Sequence, residues 1–345
     1  MFLPDYRNRP VLVTGATGFA GQALCRALVA EGADVRAIAR PQSDRSALAD
    51  LPITWFTGQI YDADTVNAAT EGVAYVFHMA TTYRHAGLTL KMNQLVHITG
   101  TQLLAEAALA QPAFQRFVHV STCGVHGHIP LGVRADENAP IQPEDDYQVT
   151  KNEAEIWVRG FAASRGLPLT VLRPCALYGA GEKRFLKFFR MAAKPVLPLL
   201  GPAGYGIHLI HVDDFTGMAR HAGQHPNALG EIFLCGSPEP IALERMARLI
   251  ASAYGQSIRV FRVPAWPVYE AGRVCEWLCK PFGIDPPLHR RRVAFFTKNR
   301  SFDTRKVYAM LDYTCQVPDA IGIPTLARWY VDHGWVTLRG HSAPA

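Results

Sequence analysis

Tyr147 and Lys151 stand four residues apart in P-E-D-D-Y-Q-V-T-K-N-E-A-E, residues 143–155, which puts both on one face of the helix that begins there. A free tyrosine titrates near ~10 and is a poor base at neutral pH. An ammonium and an oxidised nicotinamide nearby would stabilise the phenolate and lower that value, so the phenol could exchange a proton with an alcohol as hydride moves. Alone, a Tyr-x-x-x-Lys is also a frequent pair on a helix surface. A second stretch, S-T-C-G-V-H-G at residues 121–127, ends the apolar run F-V-H-V in hydroxyls, a thiol and a glycine. A strand that stops in such groups reads as the lip of a site.

The cofactor that this chemistry needs has its own signal. In V-L-V-T-G-A-T-G-F-A-G, residues 11–21, an apolar strand runs into Gly15, Gly18 and Gly21, with Thr17 and Phe19 inside the loop, and a helix follows at once. Glycine lets the backbone turn sharply and approach a pyrophosphate, whose charge is favoured at the helix N-terminus. The strand before and the helix after separate this from a chance glycine triplet. The end of the next strand selects the nicotinamide cofactor: an acid there takes the ribose hydroxyls of NAD, a base the 2′-phosphate of NADP. The segment V-R-A-I-A-R-P, residues 35–41, has Ala39 and then Arg40. A planar guanidinium can bond two phosphate oxygens, so NADP is the expected cofactor and NAD the alternative. A solvated arginine at a strand end is the bland reading of the same residue.

These groups need a frame. Short β-branched runs at Val11–Thr14, Val35–Ala39, Thr54–Thr57, Tyr75–His78, Phe117–Ser121 and Leu169–Leu172 alternate with stretches of helical apolar spacing, such as 21–30 and 101–110. Such alternation predicts an α/β fold, a Rossmann-like doubly wound parallel sheet covered on both faces. After Gly179 the pattern breaks up around Pro195, Pro198 and Pro202, and Ile207–Val212 reads as a further strand. We expect residues 1–178, joined by 207–235, to hold the dinucleotide. Residues 179–206 and 236–345 would form a smaller C-terminal substrate-binding lobe.

Four motifs in order and spacing, T-G-A-T-G-F-A-G, S-T-C-G-V-H-G, Y-Q-V-T-K and L-R-P-C-A-L-Y-G (residues 172–179), resemble the extended short-chain dehydrogenase/reductases over essentially the whole chain. The resemblance implies Tyr147 as acid/base, Lys151 as its partner and holder of the nicotinamide ribose, and Thr122 as the hydroxyl that orients the substrate oxygen. It implies that Thr17, Phe19, Gln59, Ile60, Ala80, Ser121 and Pro174 line the cofactor, with the three glycines and Arg40. His97 stands where many members have asparagine; a structural role is expected, either bonding the backbone as that side chain does or serving as a core histidine. Gln59 replaces an aspartate that often contacts adenine. The resemblance also implies a homodimer through the helices after Gly100 and around Tyr147.

Departures from the pattern narrow the chemistry. Dehydratases of this family place Asp-Glu directly after the threonine as acid and base; here the two positions are Cys123 and Gly124, so dehydration is not expected. Sugar-nucleotide epimerases carry polar groups where this chain has Ala176 and Ile207, and a lost charged phosphate ligand is a large loss. L-R-P-C-A-L-Y-G-A-G-E-K-R-F-L, residues 172–186, and F-F-T-K-N-R-S-F-D-T-R-K-V, residues 295–307, resemble more nearly the 3β-hydroxysteroid dehydrogenase and dihydroflavonol reductase branch. The expected substrate is thus an apolar secondary alcohol or ketone, touching Thr122, Cys123, Ala176 and Ile207; a sugar-nucleotide epimerase is the alternative. In residues 264–282, Glu270, Arg273, Glu276 and Lys280 share one stripe, while Trp266, Tyr269, Val274, Trp277, Leu278 and Phe282 cover much of the rest. A helix buried in the lobe is the expected outcome, and a lipid-surface or substrate-entry helix the other.

Bulk properties exclude other classes. With 49% hydrophobic and 19% charged residues in a chain of 345, the composition is that of a folded globular protein. The formal net charge of +6 and the pI near 9.0 lack the dense basic stripe of a nucleic-acid surface, and His289-Arg290-Arg291-Arg292 is too short to form one. Seven cysteines show no metal-ligand spacing, Cys275 and Cys279 included, so no metal is expected and a reducing compartment is. The first ten residues show no apolar signal core, and no apolar run is long enough to span a bilayer. A cytoplasmic location is expected.

Overall fold

In the first strand, Pro10–Thr14 (β1), Val11 and Val13 are buried on one face and Leu12 on the other. Tyr75 and Phe77 against Val76, and Val118 and Val120 against Phe117, repeat the alternation on later strands, as a sheet covered on both sides requires. The structure, a computed structural model, describes residues 2–82, 89–201, 204–279 and 298–338. The basic run 289–292, Pro202, Lys280 and Phe282 lie outside the described residues.

The sheet begins with β1, Asp34–Ala39 (β2), Thr54–Thr57 (β3), Tyr75–His78 (β4), Arg116–Val120 (β5) and Leu169–Pro174 (β6). The chain then leaves through Ala176–Tyr178 (β7), Val196–Leu200 (β8), Gly206–Ile207 (β9) and Leu209–His211 (β10), and returns as Ile232–Cys235 (β11). The spatial order is β11-β6-β5-β4-β1-β2-β3, seven strands with every pairing parallel. The order of winding reverses between β1 and β4, which opens a crevice at the carboxyl ends of the strands.

Helices Phe19–Ala30 (α1) and Val212–Gln224 cover the face of Val11 and Val13 with Leu24, Leu28, Phe215 and Met218. Ala63–Thr70 (α2), Gly100–Leu109 (continuous with Leu90–Gln94) and Asp146–Arg165 cover the other with Val66, Leu104 and Val158. In chain order Leu90–Gln94 is α3, Gly100–Leu109 α4, Asp146–Arg165 α5, Leu186–Ala192 α6 and Val212–Gln224 α7. A third apolar cluster, including Tyr178, Phe185, Phe189, Leu209, Ile250, Ile323 and Tyr330, is separate from both faces.

Two elements differ from expectation. The strand read over Ile207–Val212 is broken at His208. Gly206–Ile207 pairs antiparallel with Ile241–Ala242, whereas Leu209–His211 pairs parallel with β7. The His208 imidazole bonds Ser237 O at 2.6 Å and accepts from Phe302 N at 3.2 Å at the point where the pairing passes from one partner strand to the other. Val212 already belongs to α7, whose N-cap His211 accepts from Asp213 N. The helix Ala265–Cys279 does form, but Trp266 and Trp277 are each 72% exposed, so the expectation of a buried helix does not hold. Among the described residues, no helix is long and apolar enough to cross a membrane.

Candidate cofactor and catalytic site

The turn between β1 and α1 is built on two close approaches. Gly15 has φ +72°, and a Cβ there would lie 2.9 Å from the backbone of Met79 and Ala80 at the end of β4. A Cβ on Gly21 would lie 2.1 Å from Gly15 O, so the first turn of α1 rests directly on the loop. Gly18 is the extended N-cap of α1, and no acidic side chain occupies its first turn. Its positive end is therefore left for a ligand anion. Gln22 Nε2 donates to Thr17 O at 2.9 Å and shapes the loop from behind. Phe19 reaches the far wall: a Cβ on Gly179 would lie 3.3 Å from its ring.

Ala39 is buried at the end of β2 and Arg40 is exposed just beyond it, with no ion-pair partner among the described residues. Gln59 is half-buried. Ile60 is buried against α4, where a Cβ on Gly100 would meet its side chain at 2.7 Å.

Ser121, Thr122 and the Lys151 ammonium meet where β5 ends. Ser121 N donates to Leu172 O at 2.7 Å, which holds the rim of β5 against β6. Thr122 caps the short turn Cys123–His126, its Oγ1 accepting from Gly124 N at 3.1 Å. Asp145 caps α5 by accepting from Gln148 N, and Tyr147 and Lys151 follow on its first turns. Lys151 is 2% exposed, and its Nζ donates to Val120 O at 2.7 Å, the carbonyl just before Ser121. Burial brings its pKa down to about 8, opposed by Glu155. Ser121 Oγ is buried with no partner among the described residues. With the glycine cradle and a lysine at the strand end, that open hydroxyl fits a nicotinamide dinucleotide lying across the rim.

A network absent from the sequence reading braces this site. Ala80 N–H donates to Thr14 Oγ1 at 3.2 Å, and Thr14 Oγ1 lies 2.8 Å from His78 Nδ1. His78 Nε2 lies 2.9 Å from Thr101 Oγ1, whose proton goes to His97 O. The hydroxyl directions place the His78 proton on Nε2. His97 sits in a turn of π-helix, Leu95–Thr99, between α3 and α4. Its Nε2 accepts from Thr82 N at 3.3 Å, so Nδ1 carries the proton and donates to Thr150 Oγ1 at 2.8 Å. Thr150 in turn donates to Asp146 O. The backbone contact expected of His97 is present, and the network runs from the cofactor side of β4 to the start of α5. Burial keeps both rings neutral, with pKa values of about 3 for His78 and about 2 for His97.

The remaining candidates divide. Pro174 pairs with Cys235 at the end of β6, and Ala176 opens β7. Ile207, 9% exposed, packs in the third apolar cluster. Its bridge partner is Arg300, and the charges of Arg300 and Arg184 both act on the Cys123 thiol beside Thr122. Both arginines lie in stretches that resemble the hydroxysteroid dehydrogenase branch, 172–186 and 295–307, but nothing in those stretches says that the two meet at Cys123. Arg173 of L-R-P is structural: it forks onto Glu155 (Nε–Oε2 3.0 Å), with side chains 3% and 1% exposed, and ties β6 to α5. Among the described residues, no group of His, Cys, Asp and Glu could hold a metal.

A sequence profile described as the NAD dependent epimerase/dehydratase family matches residues 11–236. The chain is 30% identical over 294 residues to a 3-beta-hydroxysteroid dehydrogenase of Mycolicibacterium neoaurum, covering 81% of this chain and 79% of that protein. It is 24% identical over 274 residues to a UDP-glucose 4-epimerase of Vibrio cholerae, covering 75% and 80%. The crystal structure of gox2253 superposes with a TM-score of 0.78 at 28% identity, over 96% of this chain and all (100%) of that one. The glycine cradle, the Tyr147–Lys151 helix and these likenesses make the chain a member of the NAD dependent epimerase/dehydratase family, an enzyme of the extended short-chain dehydrogenase/reductase type.

Proposed function

We propose that this enzyme interconverts a secondary alcohol and a ketone on a largely apolar substrate and prefers NADP. The observation that carries the reaction type is the rim of β5. Thr122 and the Lys151 ammonium stand there, with Tyr147 one turn before Lys151 on α5, and the two positions after Thr122, where a dehydration would need carboxylates, are a buried thiol and a glycine in a tight turn. NADP, when bound, supplies or accepts the hydride. Tyr147 gives or takes the proton at the substrate oxygen, Thr122 Oγ1 orients that oxygen, and Lys151 holds its charge near the phenol and the nicotinamide ribose. The Lys151–Val120 bond fixes where that charge stands. Arg40, exposed and unpaired among the described residues, supports the 2′-phosphate preference.

Ile207 in an apolar cluster supports an apolar substrate wall. The separate cluster around Tyr178 and Tyr330 supports 179–206 and 236–345 as the substrate lobe, with 1–178 and 207–235 holding the cofactor. Exposed Trp266 and Trp277 support substrate entry from, or contact with, an apolar surface through this helix. Ile156, 59% exposed on α5, supports a homodimer through that helix, and the reduced Cys25, Cys123, Cys175 and Cys235 support a reducing, cytoplasmic setting.

One observation favours the epimerase alternative: Arg300 and Arg184 bring positive charge to Cys123, at the substrate end of the site. Calorimetric titration of the NADP-loaded enzyme separates the two readings. Binding of a 3β-hydroxysteroid or its ketone, followed by a change in nicotinamide absorbance, is expected. Micromolar binding of a UDP-sugar with the steroid silent would overturn the proposal.

A further inference from the structure

Three thiols line up along the carboxyl rim of the sheet. Cys123 follows β5, Cys175 follows β6 and Cys235 ends β11, and these strands are neighbours. The register pairs Val120 with Leu172, so Cys123 and Cys175 each lie three residues beyond a matched position. Cys175 N donates to Cys235 O at 2.8 Å, and the Cys235 thiol turns away to its own strand, onto Phe233 O at 3.7 Å. The Cys123 and Cys175 side chains belong to the same buried cluster and lie close enough for each to act on the other's titration.

The two partners are not equivalent. The neighbouring Cys175 side chain, then the guanidinium groups of Arg300, Arg184 and Arg173, hold the Cys123 thiol below its ordinary value against the opposing effect of burial. Burial pushes Cys175 above its own. Cys175, 4% exposed, is the deeper of the two. Cys123 is 7% exposed and adjoins Thr122, so a small reagent entering the site meets it first.

We propose that Cys123 and Cys175 form a peroxide-sensitive dithiol that locks the catalytic rim when oxidised. The Cys123 sulfur attacks one oxygen of hydrogen peroxide and the O–O bond breaks. The departing oxygen takes a proton and leaves as water, and Cys123 becomes a sulfenic acid. The Cys175 sulfur then attacks that sulfur; the S–O bond breaks, and the hydroxide leaves with the Cys175 proton as a second water. Two thiols lose two electrons and one peroxide gains them. The new S–S bond staples β5 to β6. Because Cys123 opens the turn capped by Thr122, the staple also constrains the hydroxyl that would orient substrate.

The test uses the full chain and needs no substrate, so failure of the reading above leaves it standing. After hydrogen peroxide, the intact mass is expected to fall by two hydrogens and the peptide map to join residues 123 and 175. Deuterium uptake over residues 121–127 should slow, and dithiothreitol should reverse all three changes. Cys175→Ser and Cys175→Ala, checked for folding by melting, should instead accumulate sulfenic acid at Cys123, trapped by dimedone. Cys235→Ser should behave as the parent. A cross-link that joins other cysteines, or oxidation in the parent that stops at oxygen adducts, would overturn the proposal. So would unchanged uptake over 121–127 in the cross-linked protein.

Discussion

The imidazole of His97 meets the ring of Tyr147 edge to face, with centroids 5.4 Å apart and planes at 84°. Both ring nitrogens of His97 are engaged, one by Thr82 N and the other by Thr150 Oγ1. The imidazole cannot turn without breaking one of these bonds, so it forms a fixed wall for the phenol. His97→Ala would leave the half-buried Thr82 amide and the buried Thr150 hydroxyl without that partner and is expected to cost ~1–3 kcal/mol. His97→Asn, with an acceptor and a donor on one side chain, should recover part of the loss. Urea midpoints of the three proteins check this, and equal losses in both variants would show that the hydrogen bonds are not what counts.

Tyr147→Phe removes only the hydroxyl. Cofactor binding should be kept, while turnover falls by ~10² or more, as for loss of a positioned acid/base. Thr122→Ala should cost less, since Thr122 orients the oxygen without carrying its proton. Rates and cofactor titrations on the same preparations decide the matter, and near-parental turnover in the Phe variant would remove Tyr147 from its role.

Arg40→Ala should weaken NADP and leave NAD nearly unchanged. The parent's preference should also shrink as salt rises, because Arg40 is exposed and its charge is screened over ~10 Å at moderate ionic strength. Dissociation constants for both cofactors at two salt concentrations are the measurement; equal losses would make Arg40 a support for the fold.

Acid should destabilise this protein through buried rings. His78, His97 and His119 are neutral when folded, with burial the main cause. Once unfolded, each takes a proton near pH ~6.5, so below that value the unfolded chain binds more protons and stability falls as pH falls. About one unit lower, each ring costs ~1.4 kcal/mol. The loss continues until the folded-state values, about 3 and 2 for His78 and His97, are reached. Lys151, at about 8 instead of 10.5, has the same sign but acts higher, so its contribution to stability rises with pH only above about 8. Both nitrogens of His119 lack partners among the described residues. His119→Leu should therefore be tolerated at neutral pH and remove one ring's share of the acid loss. Urea midpoints at neutral and mildly acidic pH give the comparison, and an unchanged pH slope in the variant would contradict it.

What could be read from the sequence was what is local. The β1–α1 glycines, the Tyr147–Lys151 spacing and six of the strands rest on period and on residue types within a few positions, and the sheet follows them closely. The brace of Thr14, His78, Thr101, His97 and Thr150 was not legible, because its contacts join residues such as Thr14 and His78, 64 apart, with no shared motif. The strand Ile232–Cys235 is a four-residue apolar run that resembles many loops, and only its place beside β6 makes it the edge of the sheet. The break at His208 is set by partners from Ser237 and Phe302, 29 and 94 residues away. At Ala265–Cys279 the helical period was correct and the inferred burial was not, because period reports a face without saying what covers it.

The segment Asn299–Thr304 has a consequence for the order in which the molecule is made. Asn299 Nδ2 donates to Ile129 O, 170 residues away, and its Oδ1 accepts from Gly206 N; Ser301 O accepts from Ala135 N, and Phe302 N donates to His208. These ties close very long loops, and they can form only after the β5 rim, β9 and His208 are in place. On a ribosome, the cofactor cradle emerges and can fold long before residue 299 is synthesised, while the wall beside Cys123 waits for it. Stopped-flow refolding should thus show helical ellipticity returning before the peptides at 129–135 and 206–208 gain protection from deuterium exchange. A stretch that arrives late finishes this wall, so under the proposed function a nascent chain would complete its dinucleotide cradle before its substrate side.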